Sequence, residues 1–280
     1  MTNITIIIPS NKQIVNISSF FKKHEVVVVF DGVDGDVLGS SGMLGVYKIK
    51  KSGPAACRNY GVKKAKGDIL LFLGDDVILS KNLIEEHRNY HEKNMGEKDV
   101  VLGYLRYPKC FLRNPLCEYL ENSGTQFNYG RLWDGKKCDY RCFYSSNLSI
   151  KKSFFEEEGG FDKDFKYPTY EDTELGYRLS QKGMKMVFNE KAVGLHVHKI
   201  SFVKYCLRMI KVGKSARLLE KKHPELKGKV YVSRVSFQEW IRFGVVFVLF
   251  PFGYLFRIKK IYYPFYSSTF KFFSLLGYNG

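Results

Sequence analysis

The sequence predicts an α/β fold, a doubly wound and mostly parallel sheet followed by a basic, aromatic helical extension. Short unbroken apolar runs, 4-ITIII-8, 26-VVVVF-30 and 69-ILLFL-73, have the branched composition of strands covered on both faces. Helical spacing separates them, so strands and helices alternate as they do around a parallel sheet. Charge then divides the chain. Of 45 Lys and Arg and 28 Asp and Glu, residues 199–280 hold 16 and 3, a net of +13 out of +17. The expected division is a body over residues 1–200 and an extension over 201–280.

Each element has its own signal. In 52-SGPAACRNYGVKKAKG-67, Ser52 is the expected N-cap and Pro54 sits in the first turn. Ala55, Ala56, Val62 and Ala65 form the inner stripe, and Gly67 is the expected stop. A second helix is predicted over 81–93 and a strand over 99–105. Residues 106–141 have no clean period and read as a loop-rich insertion. A strand over 142–150, a short helix over 151–158 and a turn at 159–162 follow. In 168-PTYEDTELGYRLSQKG-183, Leu175 and Leu179 share a helical face and Gly183 ends the element.

The basic extension calls for a polyanion, either nucleic acid or an anionic membrane surface. Its composition selects the membrane. The run 243-FGVVFVLFPFGYLF-256 is uncharged and bracketed by Arg242 and by Arg257, Lys259 and Lys260. A spanning helix needs about 20 apolar residues, and Pro251 and Gly253 interrupt this shorter run. An in-plane position at the lipid interface suits it, the alternative being a helix packed on the protein's own core. A strand signal from Ile4 leaves no room for a signal peptide, so a cytoplasmic protein, peripheral at the inner face of the membrane, is expected. There, the six cysteines (57, 110, 117, 138, 142, 206) need not pair. Cys110, Cys117, Cys138 and Cys142 lack the spacing of the familiar zinc sites and read as buried thiols.

Chemistry concentrates at three places. Asp75 and Asp76 stand side by side after a buried strand, an arrangement that a divalent cation would relieve and that a solvated turn also permits. Ligands of open α/β sheets bind beyond the carboxyl ends of the strands, so Asp31 is expected on the same rim. Thr169 and Asp172 have the spacing of a capping box, a structural duty that competes with work as a general base; Glu171 or Glu174 would then be the structural alternatives. His196 and His198, two apart on a predicted strand, would point the same way, one as a metal ligand and one as a neighbour.

In order, 4-ITIIIPS-10, 28-VVFDGVDGD-36, 52-SGPAACRNYGVKKAKGDILLFLGDDVIL-79, 145-SSNLSIKKSFFEEEGGFDKDF-165 and 170-YEDTELGYRLSQKGMKMVFNEKAVGLHVH-198 resemble a family 2 glycosyltransferase of the GT-A fold. The resemblance implies inverting transfer of a sugar from a nucleotide-diphosphate sugar, with Mn2+ or Mg2+ as cofactor and a UDP-sugar as default donor. The basic, aromatic tail, rather than the resemblance, points to a glycan or lipid-linked acceptor in surface glycan (polysaccharide) or glycolipid synthesis, and no nucleic acid is expected. The resemblance makes Asp31 the reader of the nucleotide base, beside Pro9 and Ser10. Asp75 and Asp76 match the end of the family's Asp-x-Asp element, with Asp76 on the metal and Asp75 on a donor hydroxyl. Asp172 matches the catalytic base, His196 an additional metal contact with His198 as fallback, and Arg58 and Asn147 fall among the donor-binding residues. Gly74 stands where the family has its first acid, and Phe30, Val33 and Asp34 depart from the Asp-Asp-Gly-Ser wording. The basic stretch 207–224 resembles a segment that follows the catalytic domain in relatives. Two other classes compete: a nucleotidyltransferase, for which 8-IPSNKQIVN-16 lacks a glycine-rich phosphate loop, and a non-catalytic membrane adaptor, which would show no metal-dependent nucleotide binding.

Overall fold

The computed structural model describes residues 3–16, 21, 23–39, 43–94, 96–129, 132, 138–198, 200–231 and 237–280. The chain forms two compact units, Met1–Arg106 with Tyr129–Val197, and Tyr107–Asn128 with His198–Gly280.

The first unit is built on an eight-stranded sheet of order β5-β3-β1-β6-β9-β8-β10-β7. Its strands are β1 (Ile4–Ser10), β3 (Glu25–Asp31), β5 (Met43–Ile49), β6 (Ile69–Leu73), β7 (Val77–Leu79), β8 (Asp99–Arg106), β9 (Asn147–Lys151) and β10 (Lys185–His196). Two short strands, β2 (Ile14–Asn16) and β4 (Asp36–Leu38), pair apart from it. Neighbours β5, β3, β1 and β6 are parallel, as are β8 and β10. β9 is antiparallel to β6 and β8, and β7 to β10. The apolar runs of β1, β3 and β6 are buried almost throughout, which accounts for their unbroken character. β5 escapes that pattern because it is an edge strand with half its positions exposed.

Helices α1 (Pro54–Lys64), α2 (Leu83–Lys93), α4 (Lys152–Glu157) and α5 (Glu171–Gln181) complete the unit. Local details depart from expectation. Ser52 does not cap α1, since its Oγ donates to Lys50 O at 2.7 Å and Gly53 takes the cap position with φ 90. The helix stops at Lys64, where Ala65 N donates back to Gly61 and Val62, before Gly67 is reached. The strand expected over 142–150 begins only at Asn147, after a 3-10 turn at Tyr140–Cys142. His198 lies beyond the end of β10, so the two histidines do not share a strand face. Cys138 and Cys142 belong to this unit, Cys110 and Cys117 to the other.

A polar seam runs under the sheet. His87 Nδ1 lies 2.8 Å from Ser149 Oγ and His87 Nε2 3.0 Å from Asn147 Oδ1. His91 Nε2 lies 2.9 Å from the same Ser149 hydroxyl. Asn147 Nδ2 donates to Ala192 O at 2.8 Å, and Gly103 leaves the room, since a Cβ there would meet that amide at 2.2 Å.

In the second unit, part of the expected insertion is helical. Asn114 caps α3 (Pro115–Ser123) by accepting from Leu116 N at 2.8 Å. The expected loop at 130, 131 and 133–137 lies outside the described residues. α6 (Phe202–Lys222) and α8 (Lys259–Asn279) cross with backbones almost touching: a Cβ at Gly213 would lie 1.8 Å from Ser274 O, and one at Gly277 1.9 Å from Ile210 O. α7 (Phe237–Leu255) packs on α8 through Phe250, whose ring stacks on Phe265 with centroids 3.8 Å apart. Glu118 of α3 accepts from Tyr262 OH at 2.7 Å and pairs with Arg257 and Lys259. Among the described residues, no helix is long and apolar enough to cross a membrane.

Burial holds His87 and His91 neutral, each pushed down from 6.5 to about 4. The unfolded chain takes up these protons below pH 6.5 and the folded chain does not until about 4, so the contribution to stability is full above 6.5 and lost as pH falls through that window. The thermal midpoint of the wild type should therefore drop more between pH 7 and pH 5 than that of His91→Gln, a difference in which other titrating groups cancel. Parallel pH dependences in the two proteins would refute it.

Candidate active site

The carboxyl ends of parallel β1, β3 and β6 lie on one rim, and each carries a polar side chain there: Ser10, Asp31 and, just after β6, Asp75 and Asp76. Asp31 reaches across to the chain entering α1, accepting from Ser52 N at 2.7 Å and from Gly53 N at 3.1 Å. The Asp31 carboxylate thus holds the two N–H groups just ahead of α1, whose first turn has no side-chain cap. Pro9 pairs in register with Val29, one position before the rim.

After β6 the chain turns at once, with Val77 N donating to Gly74 O at 3.3 Å. This turn sends the adjacent aspartates to different partners. Ser10 Oγ donates to Asp75 Oδ2, and Lys12 Nζ lies 2.9 Å from Asp75 Oδ1. Asp76 turns instead to β10, its Oδ2 3.3 Å from His196 Nε2 and its carbonyl accepting from Val197 N at 2.8 Å. Repulsion between neighbours is relieved by this divergence. Both side chains retain some exposure, as a ligand would require.

Asp172 stands in the first turn of α5, and the capping-box pattern is not realised. Tyr170 occupies the cap position with φ 65, no side chain caps the helix, and Thr169 Oγ1 makes no hydrogen bond. The Asp172 carboxylate accepts instead from Ser145 N at 3.0 Å and Ser145 Oγ at 2.6 Å, and its side chain is 20% exposed. Ser145 adjoins Ser146, whose carbonyl accepts from Gly74 N at 3.1 Å. That backbone bond joins the Asp76 turn to the segment holding Asp172.

Arg58 and Asn147 are placed inside the sheet unit. Arg58 is buried and pairs with Glu171 at 2.9 Å, and Asn147 is fully enclosed in the polar seam. Burial, then the nearby Asp172 charge, pushes Glu171 above the ordinary carboxylate range, against the pull of Arg58. Burial and the Asp31 carboxylate likewise push Cys57 up to about 12, so this thiol is no nucleophile. Lys12 and Ser145 went unnoticed in the sequence because each carries an ordinary residue type in a loop. A Lys two positions beyond a rim serine was the available signal for the first.

Residues 12–216 match the sequence profile of Glycosyltransferase like family 2. The chain belongs to that family. Over 194 residues, 53% of this chain and 49% of the relative, it is 27% identical to the uncharacterized glycosyltransferase YfnE of Bacillus subtilis (strain 168). It is 29% identical over 228 residues, 66% of this chain and 51% of the relative, to the validoxylamine A glucosyltransferase of Streptomyces hygroscopicus subsp. jinggangensis (strain 5008). The chain thus spans about half the length of these curated relatives. Among solved structures, the mannosyltransferase PcManGT from Pyrobaculum calidifontis, in complex with GDP-Man and Mn2+, superposes with TM-score 0.61 at 12% identity, covering 99% of this chain and 87% of that one. GalNAc-T7 with UDP, GalNAc and Mn2+ gives TM-score 0.53 at 14% identity over 83% and 50%. The fold of this glycosyltransferase family member is GT-A.

Replacing Asp31 by Ala strands the Ser52 and Gly53 N–H donors and should cost about 1–3 kcal/mol in chemical denaturation. Asp31→Asn, which keeps an acceptor oxygen, should cost less. Equal losses from both would mean that the clamp does not hold α1's entry.

Proposed function

We propose that the protein transfers a sugar from a nucleotide-diphosphate sugar to an acceptor hydroxyl with inversion. The observation that carries this reading is the Gly74–Ser146 backbone bond, which ties the turn carrying Asp76 to the segment whose Ser145 holds Asp172. Asp76 Oδ2 and His196 Nε2, 3.3 Å apart, are a carboxylate and an imidazole of the kind that Mn2+ accepts, and this donor set would hold the ion. When bound, the metal would offset the charge of the departing diphosphate. Asp75, steadied by Ser10 and Lys12, orients a donor hydroxyl. Asp31 uses its remaining acceptor capacity for the base, since a carboxylate offers about four lone-pair sites. Asp172 takes the acceptor's proton while that oxygen bonds to the anomeric carbon. The bond from that carbon to the diphosphate breaks on the opposite face, and the nucleoside diphosphate leaves.

Asp172→Asn should lower transfer on the order of 100-fold or more while leaving Mn2+-dependent nucleotide binding by calorimetry intact. Asp76→Asn should do the reverse first, weakening metal-dependent binding. UDP- and GDP-sugars are the donors to screen. Wild-type turnover by Asp172→Asn would remove the base assignment.

The proposal also seats the second unit on the anionic, cytoplasmic face of a membrane, where a lipid-linked or surface-glycan acceptor would be met. Opposite its packed face, α7 exposes Val245, Val248, Phe252 and Leu255 at helical spacing, with Val248 76% and Leu255 74% accessible. Such a stripe beside a segment of net charge +13 complements anionic lipid. The protein should co-sediment with phosphatidylglycerol vesicles, less with phosphatidylcholine and less at high salt. Val248→Asp with Leu255→Asp should cut the bound fraction several-fold. Equal binding by wild type and double variant would defeat the membrane assignment.

A further inference from the structure

One arginine serves two carboxylates at the start of α5. Arg58 Nη1 lies 2.9 Å from Glu171 Oε1 and 3.7 Å from Asp172 Oδ1. Its guanidinium is held by more than charge, because Cζ sits 5.2 Å from the centroid of the Phe161 ring. Phe161 is itself fixed to α1, its N donating to Asn59 Oδ1 at 2.9 Å and its O accepting from Asn59 Nδ2 at 2.7 Å. Both Arg58 and Glu171 are buried, and neither is fully satisfied: Arg58 Nε and Glu171 Oε2 make no hydrogen bond.

Stability explains this poorly. A buried ion pair with spare donors and acceptors is commonly no better than apolar packing of the same volume. What the pair does have is a third member within reach, the partly buried carboxylate of Asp172.

We infer that Arg58 and Glu171 are positioning residues for Asp172: ionised Glu171 holds Arg58 off that carboxylate, and protonated Glu171 releases Arg58 onto it. The inference rests on Asp172 acting as the base of the proposed transfer. With Glu171 ionised, Arg58 is engaged at 2.9 Å and Asp172 keeps Ser145 as its partner, open on one side to an acceptor. With Glu171 neutral, Asp172 is the remaining anion beside Arg58, and a shift of under an ångström turns 3.7 Å into a charge-assisted hydrogen bond. The base is then occupied. Burial, then the Asp172 charge, raises the Glu171 titration above the ordinary carboxylate range and toward neutrality, where the exchange would be felt. The charged groups facing Glu171 are Arg58 from α1 and Asp172 on its own helix.

The test compares kcat and donor KM across pH for wild type and Glu171→Gln, the neutral near-isostere. In the wild type kcat should rise with pH through neutrality while KM stays level. In Glu171→Gln kcat should be lower by on the order of tenfold, without that rise, and KM unchanged. A 15N-arginine NMR titration reads the same exchange without turnover. The Arg58 side-chain resonance should move near neutral pH in the wild type and stay still in the variant. If Glu171→Gln does not fold, Arg58→Lys replaces it, since the shorter, non-planar group cannot bridge and should flatten the kcat profile. A retained rise in the variant, or an Arg58 resonance indifferent to pH, overturns the inference. A moving resonance in a wild type that transfers no sugar from any donor would fault the proposed function and leave the Arg58 exchange standing.

Discussion

The site depends on β9 running against its neighbours. In a wholly parallel doubly wound sheet, a strand between β6 and β8 would enter at the far rim. Because β9 is antiparallel, its first residue, Asn147, pairs with Leu73, the last residue of β6. The segment leading into β9 therefore arrives where the Asp75–Asp76 turn begins, and Gly74 N meets Ser146 O there. Ser145, one residue earlier, presents its N–H and hydroxyl to Asp172. A strand reversed in the middle of the sheet thus brings together acids almost a hundred residues apart in sequence.

Acids at the ends of β3 and β6 and at the start of α5 demand compensation, and each carboxylate finds its own partners. Backbone N–H groups at the entry to α1 serve Asp31, Lys12 and Ser10 serve Asp75, His196 serves Asp76, Ser145 serves Asp172, and Arg58 serves Glu171. Partners drawn from β1, β10 and the approach to β9 make the arrangement sensitive to the fold as a whole. The same logic accounts for the buried histidines. Ser149 of β9 bridges His87 and His91 of α2, so the reversed strand is also pinned from beneath by neutral hydrogen bonds.

Strands buried on both faces were legible because continuous branched apolar runs have few other uses, and with them came the rim positions of Asp31, Asp75 and Asp76. The edge strand β5 was not legible, since half exposure dilutes its pattern. Local capping rules misled at both helices of the site, for one physical reason. At α1 the Ser52 hydroxyl turns to Lys50 O, while Asp31, 21 residues away, holds the Ser52 and Gly53 N–H groups ahead of the helix. At α5 the Thr169–Asp172 spacing is correct, but Tyr170 at φ 65 turns the chain so that Asp172 faces Ser145. Tertiary partners outbid local ones wherever a carboxylate lies on the rim. Burial of Arg58 and Asn147 was equally invisible, because polar residue types carry no sign of the partners that admit them to a core.

Gly74 stands just ahead of the paired aspartates, and geometry gives its missing side chain a consequence. A Cβ at position 74 would lie 2.8 Å from Asp76 Oδ1 and 3.3 Å from Val77 Cγ2. Without it, the Asp76 carboxylate folds back over its own turn, one oxygen above Gly74 and the other directed to His196. A larger residue would push that carboxylate outward, loosening its approach to β10. Gly74 and the histidine at the end of β10 therefore act on the same carboxylate: the turn gives up a side chain, and the space it leaves sets the angle at which Asp76 meets its imidazole partner.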